Sequence, residues 1–556
     1  MPSSHPLVQR ILENRNIEET EAFLNPLYDA RHDPFLLKGM SVAVDRILLA
    51  IQNKETICVW HDYDCDGIPG GALLFDFFRR IGYPVLTHVA ERSEGYGLNI
   101  DGITSLKEKG VSLLITVDCG ITDVEEVQHA NTLGINVIIT DHHLPQKKLP
   151  EALAVIDAHQ SDDTYPYKGL CGTGVAFKLV EGIVKKGNFG LPKGFEKWLL
   201  DLVALATVAD MVPLTGENRL LVKYGFKVLH KGRREGLRQL FALEGIPLAT
   251  ITEDDLGFSI APKINASSRM QSPRLAFELL TTESPERARE IAKELRALNQ
   301  ARKLEGLRVA KDVKKRLEST PDSGSVIVMG SRSWRPSLLG IAATSVVESH
   351  QKTVCLWGMD GELIKGSCRS DGNVNIVELM QHASGAFLDF GGHEYSGGFS
   401  VEPNAIHTLA QTLEASLKII TEQKKGASVL GKVAKEPECF LTLAEANDSA
   451  YDSLRLLAPF GQENTKPYFR FTNARVDKVD SFGKGSEHAR LTLSDDSGRS
   501  AEAISFFIQR TDFKDVIQML SEGDRITLDA SIERSYFRGR KQLRLRIESL
   551  SLVEVT

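Results

Sequence analysis

Residues that bind divalent cations follow three short apolar segments of the sequence. Residues 56–60 run into His61–Gly67, residues 113–117 into Asp118–Gly120, and residues 137–140 into Asp141–His143. Ligands of open α/β sheets bind in the crevice at the carboxyl ends of the strands, so the three junctions are expected to meet there. The sequence therefore predicts a crevice lined by carboxylates and imidazoles.

Carboxylates gathered in one crevice repel one another unless cations neutralise them. Mixed aspartate and histidine ligands suit Mn²⁺, Zn²⁺ or Mg²⁺, and imidazole favours Mn²⁺ or Zn²⁺ over Mg²⁺. The alternate residues Asp62, Asp64 and Asp66 could serve two ions at once. Since two ions about 3.5–4 Å apart form the usual clamp for phosphoester hydrolysis, that reaction is predicted for the crevice.

Each acid taken singly has another interpretation. The run from Asp62 resembles the start of a calcium loop, but no Glu follows at the twelfth position of that loop. An aspartate after a strand is often a helix N-cap, which is the alternative for Asp118 and Asp141. Asp210 closes an apolar run, where it is either a further ligand or an acid at the helix surface. Three clusters together favour the metal site.

A second group of residues could bind phosphate. Lys365–Ser370 contains Ser367 and Arg369, and the glycine-rich stretch that follows contains Gly391, Gly392 and His393. Small residues let backbone N–H groups approach an anion, and the basic side chains add charge. Glycine-rich turns between strands are the alternative. The Gly172-Thr173-Gly174 turn is a weaker case and is expected to serve packing.

A third group lies near the C-terminus, where Ser535–Arg546 holds five basic residues and no acid. Alternation of Leu543, Leu545 and Ile547 with arginines predicts a strand with one face inward and a basic row outward. A small barrel with aromatic residues and arginines is suited to single-stranded nucleic acid. A solvated edge strand is the alternative. The candidate substrate contacts are Tyr536, Arg538, Arg540 and Arg544.

The helices and strands that must position these residues are predicted to form an α/β protein of several domains. Strands and helices alternate at the spacing of a doubly wound parallel sheet, followed by helices, a second α/β unit and short strands typical of a barrel. A long charged helix at 285–317 connects the two α/β units. The predicted divisions are a helical lead-in at 1–50, a catalytic domain at 51–215, a helical region at 216–322, a substrate-binding domain at 323–425 and a barrel at 436–556.

Composition limits the classes of function. The chain has 556 residues and a formal net charge of −7, so any attraction to nucleic acid must come from local basic surfaces. The seven cysteines are scattered without a C-x-x-C pair and are expected to be reduced thiols. No signal peptide or membrane span is recognisable, and we expect a cytoplasmic protein.

In this order the motifs resemble those of the DHH phosphoesterase superfamily, particularly its single-strand-specific exonucleases. Asp141-His142-His143 corresponds to the signature of the superfamily. Lys365–Ser370 and Gly391–Gly398 resemble its accessory DHHA1-type domain, and the C-terminal region resembles an OB-fold. Other matching segments are Asp62–Gly67, Asp118–Gly120, Thr207–Leu214, and Ala458–Gly461 with Pro467. The resemblance covers essentially the whole chain.

The resemblance implies a role for each residue of the site. Asp64 and Asp66 would each bind one ion and Asp118 would bridge both. His143 would contact the scissile phosphate, and Asp141 would orient a neighbouring imidazole. The implied metal ligands are Asp62, Asp64, Asp66, Asp118, His142 and Asp210. The implied phosphate contacts are Arg369 and His393, with Arg269 as a further substrate residue.

The implied activity is hydrolysis of single-stranded DNA from 5′ to 3′ to mononucleotides, with two Mn²⁺ or Mg²⁺ ions, in DNA repair and recombination. The alternatives are a phosphodiesterase for short oligonucleotides or cyclic dinucleotides, and a non-catalytic nucleic-acid-binding scaffold. We expect a monomer whose partner is single-stranded DNA, with a single-strand-binding protein and a helicase as candidate partners. Departures from the expected pattern are His61, Lys263, Ser267, Ser268 and Arg335.

Overall fold

The computed structural model describes residues 5–92, 94–319, 324–424, 436–483, 485–537 and 540–553, and leaves the side chains of residues 510, 536, 537 and 540 undescribed. Within these ranges the chain forms two open five-stranded sheets and one closed five-stranded barrel. None of the described helices is long and apolar enough to cross a membrane.

The first sheet is parallel and carries helices on both faces. Its strands are apolar because a strand of a parallel sheet that has helices on both faces is buried on both sides. The preceding helices are α1 (Pro6–Asn14), α2 (Thr20–Leu24) and α3 (Met40–Asn53). The strands are β1 (Thr56–His61), β2 (Leu86–Val89), β3 (Val111–Val117), β4 (Asn136–Thr140) and β5 (Ala154–Ile156), in the order β2-β1-β3-β4-β5. The covering helices are α3, α4 (Gly67–Arg80) and α7 (Gly172–Lys186) on one face, and α5 (Ile100–Glu108) and α6 (Val124–Thr132) on the other.

Six helices extend the core of this sheet and join it to the second. They are α8 (Leu200–Ala209), α9 (Gly216–Leu229), α10 (Glu235–Leu243), α11 (Ala261–Met270), α12 (Arg274–Thr281) and α13 (Pro285–Ser319). The 35 residues of α13 span about 50 Å. Ile291 and Leu295 on its first half pack in the core of the first sheet, whereas Val309 and Val313 pack in the second domain. One helix therefore belongs to two cores.

The second sheet has the order β6-β7-β8-β10-β9 and only its β6–β7 pair is parallel. Its strands are β6 (Val326–Gly330), β7 (Thr353–Asp360), β8 (Leu363–Arg369), β9 (Asp389–His393) and β10 (Ser396–Val401), with helices α14 (Pro336–His350), α15 (Ile376–His382) and α16 (Ile406–Lys424). The glycine-rich stretch is therefore a strand pair, not an open phosphate loop. Gly391 and Gly392 lie opposite Gly398 and Gly397.

The C-terminal barrel closes in the order β11-β12-β13-β15-β14. Its elements are α17 (Asp448–Leu454), β11 (Phe469–Phe482), β12 (His488–Ser494), β13 (Ser500–Ser505), α18 (Lys514–Met519), β14 (Arg525–Phe537) and β15 (Arg540–Leu552). The sequence pattern missed β13, whose residues do not alternate between buried and exposed. Leu7, Val8 and Ile11 of α1 pack in the barrel core, so the first helix is attached to the last domain.

The expectation of seven reduced thiols was wrong for one pair. Cys355 and Cys368 form a disulfide between β7 and β8. They stand directly opposite in the antiparallel pairing, with Cα atoms 4.2 Å apart. The pairing depends on the register of β8, which the spacing of the cysteines does not reveal. The other five cysteines are free.

Candidate metal and phosphate site

Parallel pairing of β1, β3 and β4 brings the three acidic junctions to one edge of the first sheet. His61 pairs with Val117, and Val117 pairs with Thr140, so the next residue on each strand lies at the same edge. Ligand atoms lie within 4.8 Å of one another in three overlapping groups. These groups are Asp62-Asp64-Asp118, Asp66-His142-Asp210 and Asp118-His142-His143. Because Asp118 and His142 each belong to two groups, the arrangement has space for two neighbouring cations.

Asp118 lies at the centre of this cluster and is held in an unusual conformation. Its φ of 61° falls in the left-handed region, which few residues other than glycine adopt. Its buried Oδ1 accepts no hydrogen bond from the residues that the structure describes and lies 3.2 Å from Nε2 of His142. Within the same residues, the buried Oδ1 of Asp62 also accepts none. Unpaired buried carboxylates are costly, and a bound cation would satisfy both.

The cluster is electrostatically unfavourable without a cation. Burial raises the pKa of Asp62 and Asp118 well above the usual value, and neighbouring carboxylates raise it further. The same two causes raise the pKa of Asp210 to about 9. Burial lowers the pKa of His142, which favours the neutral imidazole that binds metals. The residues present therefore fit a divalent metal centre, since cations reverse this repulsion.

Asp66 is positioned by the first turn of α7. Its Oδ2 accepts from the Gly172 amide at 2.6 Å, and its Oδ1 accepts from the Thr173 amide at 2.7 Å. A Cβ on Gly172 would lie 2.6 Å from Cβ of Asp118. The Gly172–Gly174 turn thus does more than pack, because it holds one predicted ligand and leaves space for another.

Asp141 and His143 form a hydrogen-bonded pair beside the cluster. Asp141 Oδ1 accepts from Nδ1 of His143 at 2.7 Å, and its Oδ2 accepts from the Ile121 amide at 3.0 Å. Burial opposes ionisation of Asp141, but the hydrogen bond from His143 keeps its pKa below the usual value. Burial likewise opposes the charge on His143, yet the bond to Asp141 raises its pKa to about 9. In the absence of a bound cation, the bond to Asp141 therefore favours the protonated form of His143 at neutral pH.

A cluster of arginines lies next to the acids. Arg269 belongs to α11, four residues after Asn265, whose Oδ1 accepts from the Cys65 amide at 2.8 Å. Burial lowers the pKa of Arg269 to about 9, with Arg92 and Arg302 as repelling neighbours and Asp64 as an attracting one. Its buried Nε has no hydrogen-bond partner among the described residues. A buried guanidinium with an unused N–H donor can bind an anion such as phosphate.

Helix α14 brings a second arginine to the same place. Arg269 Nη1 donates to the Ser337 carbonyl at 2.8 Å, and a Cβ on Gly340, one turn later, would collide with Nη2 of Arg369. Arg369 and Ser367 alternate with buried residues on β8 and pair with Val354 and Leu356 of β7, so both lie on the face of the sheet on which α14 packs. Ser396 pairs with Arg369 on one side and with His393 on the other.

The predicted glycines have a different place from the one expected. Gly391 and Gly392 are exposed positions of β9, paired with β10. Gly391 stands in the row of Ser367 and Gly398. Because Gly398 and Gly391 have no side chains, this row has no side chain between Ser367 and the edge of the sheet. The glycines therefore leave space on the face that carries Arg369 and His393.

The barrel residues are only partly described. Arg538 lies outside the described residues, and nothing is described of the side chains of Tyr536 and Arg540. Arg544 lies on β15, 3.3 Å from Glu533, and its guanidinium carbon lies 5.4 Å from the ring centre of Phe506. Arg546 is closer to the same ring, at 4.4 Å. The aromatic partner of the arginine row is thus Phe506, which the sequence pattern did not single out.

The departures from the expected motifs are each accommodated. The buried ring of His61 stacks on Phe277, and Gly71 leaves it space on α4. Lys263 pairs with Glu244 at 2.7 Å, and Arg335 lies 3.5 Å from Glu305. The remaining two are hydroxyls with partners: Ser267 donates to the Ile264 carbonyl and Ser268 accepts from Arg92. None of these residues displaces a carboxylate of the cluster.

Three residues of the site were missed from the sequence. Arg92 lies 4.1 Å from the ring centre of Tyr63, and Arg302 contributes charge from α13. The Tyr96 hydroxyl donates to the Asp118 carbonyl at 2.9 Å and lies 3.0 Å from Nδ1 of His143. They stand singly in loops or in a helix rich in charge, where no spacing marks them.

Comparisons with known domains cover most of the chain. Residues 56–207 match the DHH family N-terminal domain, residues 323–419 match the DHHA1 domain, and residues 438–549 match the RecJ OB domain.

Whole-length similarity points the same way. The single-stranded-DNA-specific exonuclease RecJ of Bacillus subtilis is 31% identical over 99% of this chain and 68% of its own length. RecJ of Escherichia coli is 28% identical over 98% of this chain and 96% of its own length. The crystal structure of Thermus thermophilus RecJ with Mn²⁺ superposes with a TM-score of 0.79 at 25% identity, over 99% of this chain and 76% of that chain.

Proposed function

The chain belongs to the RecJ family of the DHH superfamily, and from this premise we propose that it is a metal-dependent exonuclease that hydrolyses single-stranded DNA. The observation that carries the proposal is the adjacency of two opposite clusters. Unpaired carboxylates at three strand ends lie beside buried arginines that contact the first turn of α14. Such a pair of clusters suits a phosphodiester, because cations on both sides stabilise the negative charge of its non-bridging and leaving oxygens.

We propose that the metal ligands are those expected from the sequence: Asp62, Asp64, Asp66, Asp118, His142 and Asp210. Mn²⁺ or Mg²⁺ ions held there would polarise the phosphodiester and lower the pKa of water. The donor set supports this proposal because it combines carboxylates and a neutral imidazole around buried, unpaired oxygens.

The remaining residues of the site would bind and orient the strand. His143, held as a cation by Asp141, would donate a hydrogen bond to a phosphate oxygen. Arg269 and Arg369 would hold a neighbouring phosphate from the other side. Ser367, His393 and the bare glycine row would accommodate the backbone of the strand on the face of β8–β10.

The direction of cleavage and the wider role are part of the same proposal. We propose 5′ to 3′ hydrolysis to mononucleotides, in DNA repair and recombination, by a cytoplasmic monomer. A single-strand-binding protein and a helicase would supply the strand. Membership of the RecJ family and the carboxylate and arginine clusters support these points.

A strand labelled separately at each end tests the proposal. With Mn²⁺ or Mg²⁺ and a 3′ label, the labelled product should shorten progressively, whereas a 5′ label should appear at once as a mononucleotide. No hydrolysis is expected in EDTA, and a blunt duplex should be cut far more slowly. Equal rates on a dinucleotide and a long strand would favour the short-oligonucleotide alternative, and binding without cleavage would favour the scaffold.

A further inference from the structure

A second cavity lies at the far ends of two helices that lead to the metal site. Helix α4 begins beside Asp66 and ends at Arg80, about 20 Å away along its axis. Helix α8 starts in the same cavity and ends before Asp210. The cavity has a volume of about 760 Å³, which is within the range of small-molecule sites. It is separate from the crevice that holds the carboxylates.

The floor of this cavity is an ion-pair network of one arginine and two aspartates. Arg234 donates from Nε to Asp201 at 2.7 Å and from Nη1 to Asp76 at 2.6 Å. These bonds join α8 to α4, and all three side chains are nearly buried. The floor therefore needs no ligand of its own, and its polar atoms are already satisfied.

The rim is cationic. Five basic residues line the cavity against four carboxylates, and one of those, Glu235, is paired with Arg238 outside the wall. Two positive charges thus remain. No carboxylate of the described residues forms an ion pair with Arg80, Lys193 or Arg233. A phosphate monoester carries about −1.5 to −2 charges at neutral pH, which matches this surplus.

One wall also offers a flat surface. The guanidinium carbon of Arg233 lies 4.0 Å from the ring centre of Trp198, within the range of a cation–π contact. Arg233 is exposed, Trp198 is half-buried, and both side chains line the cavity. Nucleobases stack on guanidinium planes as they do on aromatic rings.

We propose that this cavity is a non-catalytic binding site for a nucleoside phosphate. The base would stack on Arg233 against Trp198, and the phosphate would lie between Arg80 and Lys193. A nucleotide combines the two features that the walls recognise, whereas inorganic phosphate or a nucleoside has only one of them. Its source is either the deoxynucleotide released by DNA hydrolysis or a ribonucleotide of the cell.

Trp198 fluorescence provides a local test in EDTA, where no strand is hydrolysed. Deoxyadenosine monophosphate should quench the Trp198 signal, identified by its loss in Trp198→Phe, with an affinity at least about tenfold above that of inorganic phosphate or deoxyadenosine. Arg233→Ala and Lys193→Ala should each weaken binding at least about tenfold. Lys418→Ala, an exposed lysine on α16, is the matched control and should leave binding unchanged, as should Arg369→Ala in the predicted catalytic site.

Several outcomes would overturn the proposal. Equal affinity for phosphate and nucleotide would reduce the cavity to a general anion site, and quenching by a long strand but not by the mononucleotide would make it a strand contact. Loss of binding in Arg369→Ala but not in Arg233→Ala would place the nucleotide in the catalytic crevice. Comparing adenosine and deoxyadenosine monophosphates identifies the source. Because no turnover is measured, this site and the proposed nuclease activity can fail independently.

Discussion

Asp118 shows how a single residue of the proposed metal site can destabilise the protein. It has a left-handed backbone, a raised pKa and a buried oxygen that receives no hydrogen bond from the described residues. Each of these features destabilises the protein without a cation. The account therefore predicts that changes at this residue separate stability from activity.

Replacing Asp118 with Asn removes the charge and keeps a residue type that tolerates positive φ. In EDTA, Asp118→Asn should be more stable than the wild type by about 1–3 kcal/mol, because an unpaired buried carboxylate is lost. Mn²⁺ should stabilise the variant less than it stabilises the wild type, and hydrolysis should fall at least about a hundredfold. Thermal unfolding with and without Mn²⁺ and an activity assay measure these effects.

Asp118→Ala is the matched control, since alanine also lacks the charge but fits the left-handed backbone poorly. It should be inactive and less stable than Asp118→Asn. Stabilisation of Asp118→Asn by Mn²⁺ to the wild-type extent would show that Asp118 binds no metal.

Asp123, which lies outside the proposed metal site, makes the free energy of unfolding depend on pH. Burial raises its pKa to about 6, although its Oδ2 accepts from the Leu98 amide at 2.6 Å. Between about pH 4 and 6 the folded protein retains a proton that the unfolded chain has lost, so stability falls as pH rises through this range. The shift corresponds to about 2–3 kcal/mol.

Asp123→Asn isolates this contribution. From pH 4 to pH 7, the stability of the wild type should fall by about 2–3 kcal/mol relative to the variant. Urea-unfolding midpoints across this range measure the difference, and all other titrating groups cancel in the comparison. A constant difference between the two proteins would rule out the raised pKa.

At the scale of residues, the sequence predicts the parts of the site that stand at regular places. The acids at 62, 118 and 141 each follow an apolar strand, and the topology of parallel sheets brings such positions together. Arg92 and Arg302 reach the site from a loop and from the long helix α13. Their approach depends on tertiary packing, so no local pattern marks them.

At the scale of elements, the first turn of α7 is the part of the scaffold in which we expect substitutions to be tolerated least. Gly172→Ala would place a Cβ 2.6 Å from Cβ of Asp118 and disturb the amide that binds Asp66. We expect a loss of activity of at least about tenfold, with weaker Mn²⁺ binding. Isothermal titration with Mn²⁺ and an activity assay measure the effect.

Gly174→Ala, two residues along the same turn, is the matched control. Its Cβ would lie at an ordinary contact distance of 3.5 Å from Leu170, so activity should be near the wild-type value. Equal activity of the two alanine variants would show that the close approach to Asp118 has no importance.

The elements also show where sequence patterns stop being informative. Apolar runs predict β1, β3 and β4 to within two residues, and charge periodicity predicts α13. Strands β8 and β9 were not predicted, because their glycines and polar residues are typical of loops. The register of β8 then determines both the disulfide of Cys355 and the row that contains Arg369, so neither could be predicted without the sheet.

At the scale of the whole molecule, the net charge of −7 conceals a separation of charge. Two divalent cations would add four positive charges and reduce the formal value to −3. Basic residues nevertheless cluster locally, in the stretch Ser535–Arg546 of the barrel and in the group of Arg92, Arg269 and Arg302. Binding of single-stranded DNA should therefore depend on salt in spite of the acidic total.

The barrel arginines should contribute to this dependence. In the double variant Arg544→Ala/Arg546→Ala, the slope of log affinity against log salt should become shallower by about 1.4, since each phosphate contact contributes about 0.7. Arg475→Ala, a barrel arginine on β11 outside the arginine row of β15, is the control and should leave the slope unchanged. Fluorescence anisotropy with a labelled strand in EDTA measures the slope, and identical slopes in all three proteins would exclude the barrel from binding.

The central claim is that strand-end acids and His142 hold two divalent cations that enable hydrolysis. Counting bound ions tests it most directly. Equilibrium dialysis of the full chain against Mn²⁺, followed by metal analysis, should give two ions per chain for the wild type, with the rate of strand hydrolysis rising as the second ion binds. Asp118→Asn should retain fewer than two ions and lose activity. Full hydrolysis of a single strand by protein that contains no ion, or only one, would contradict the account.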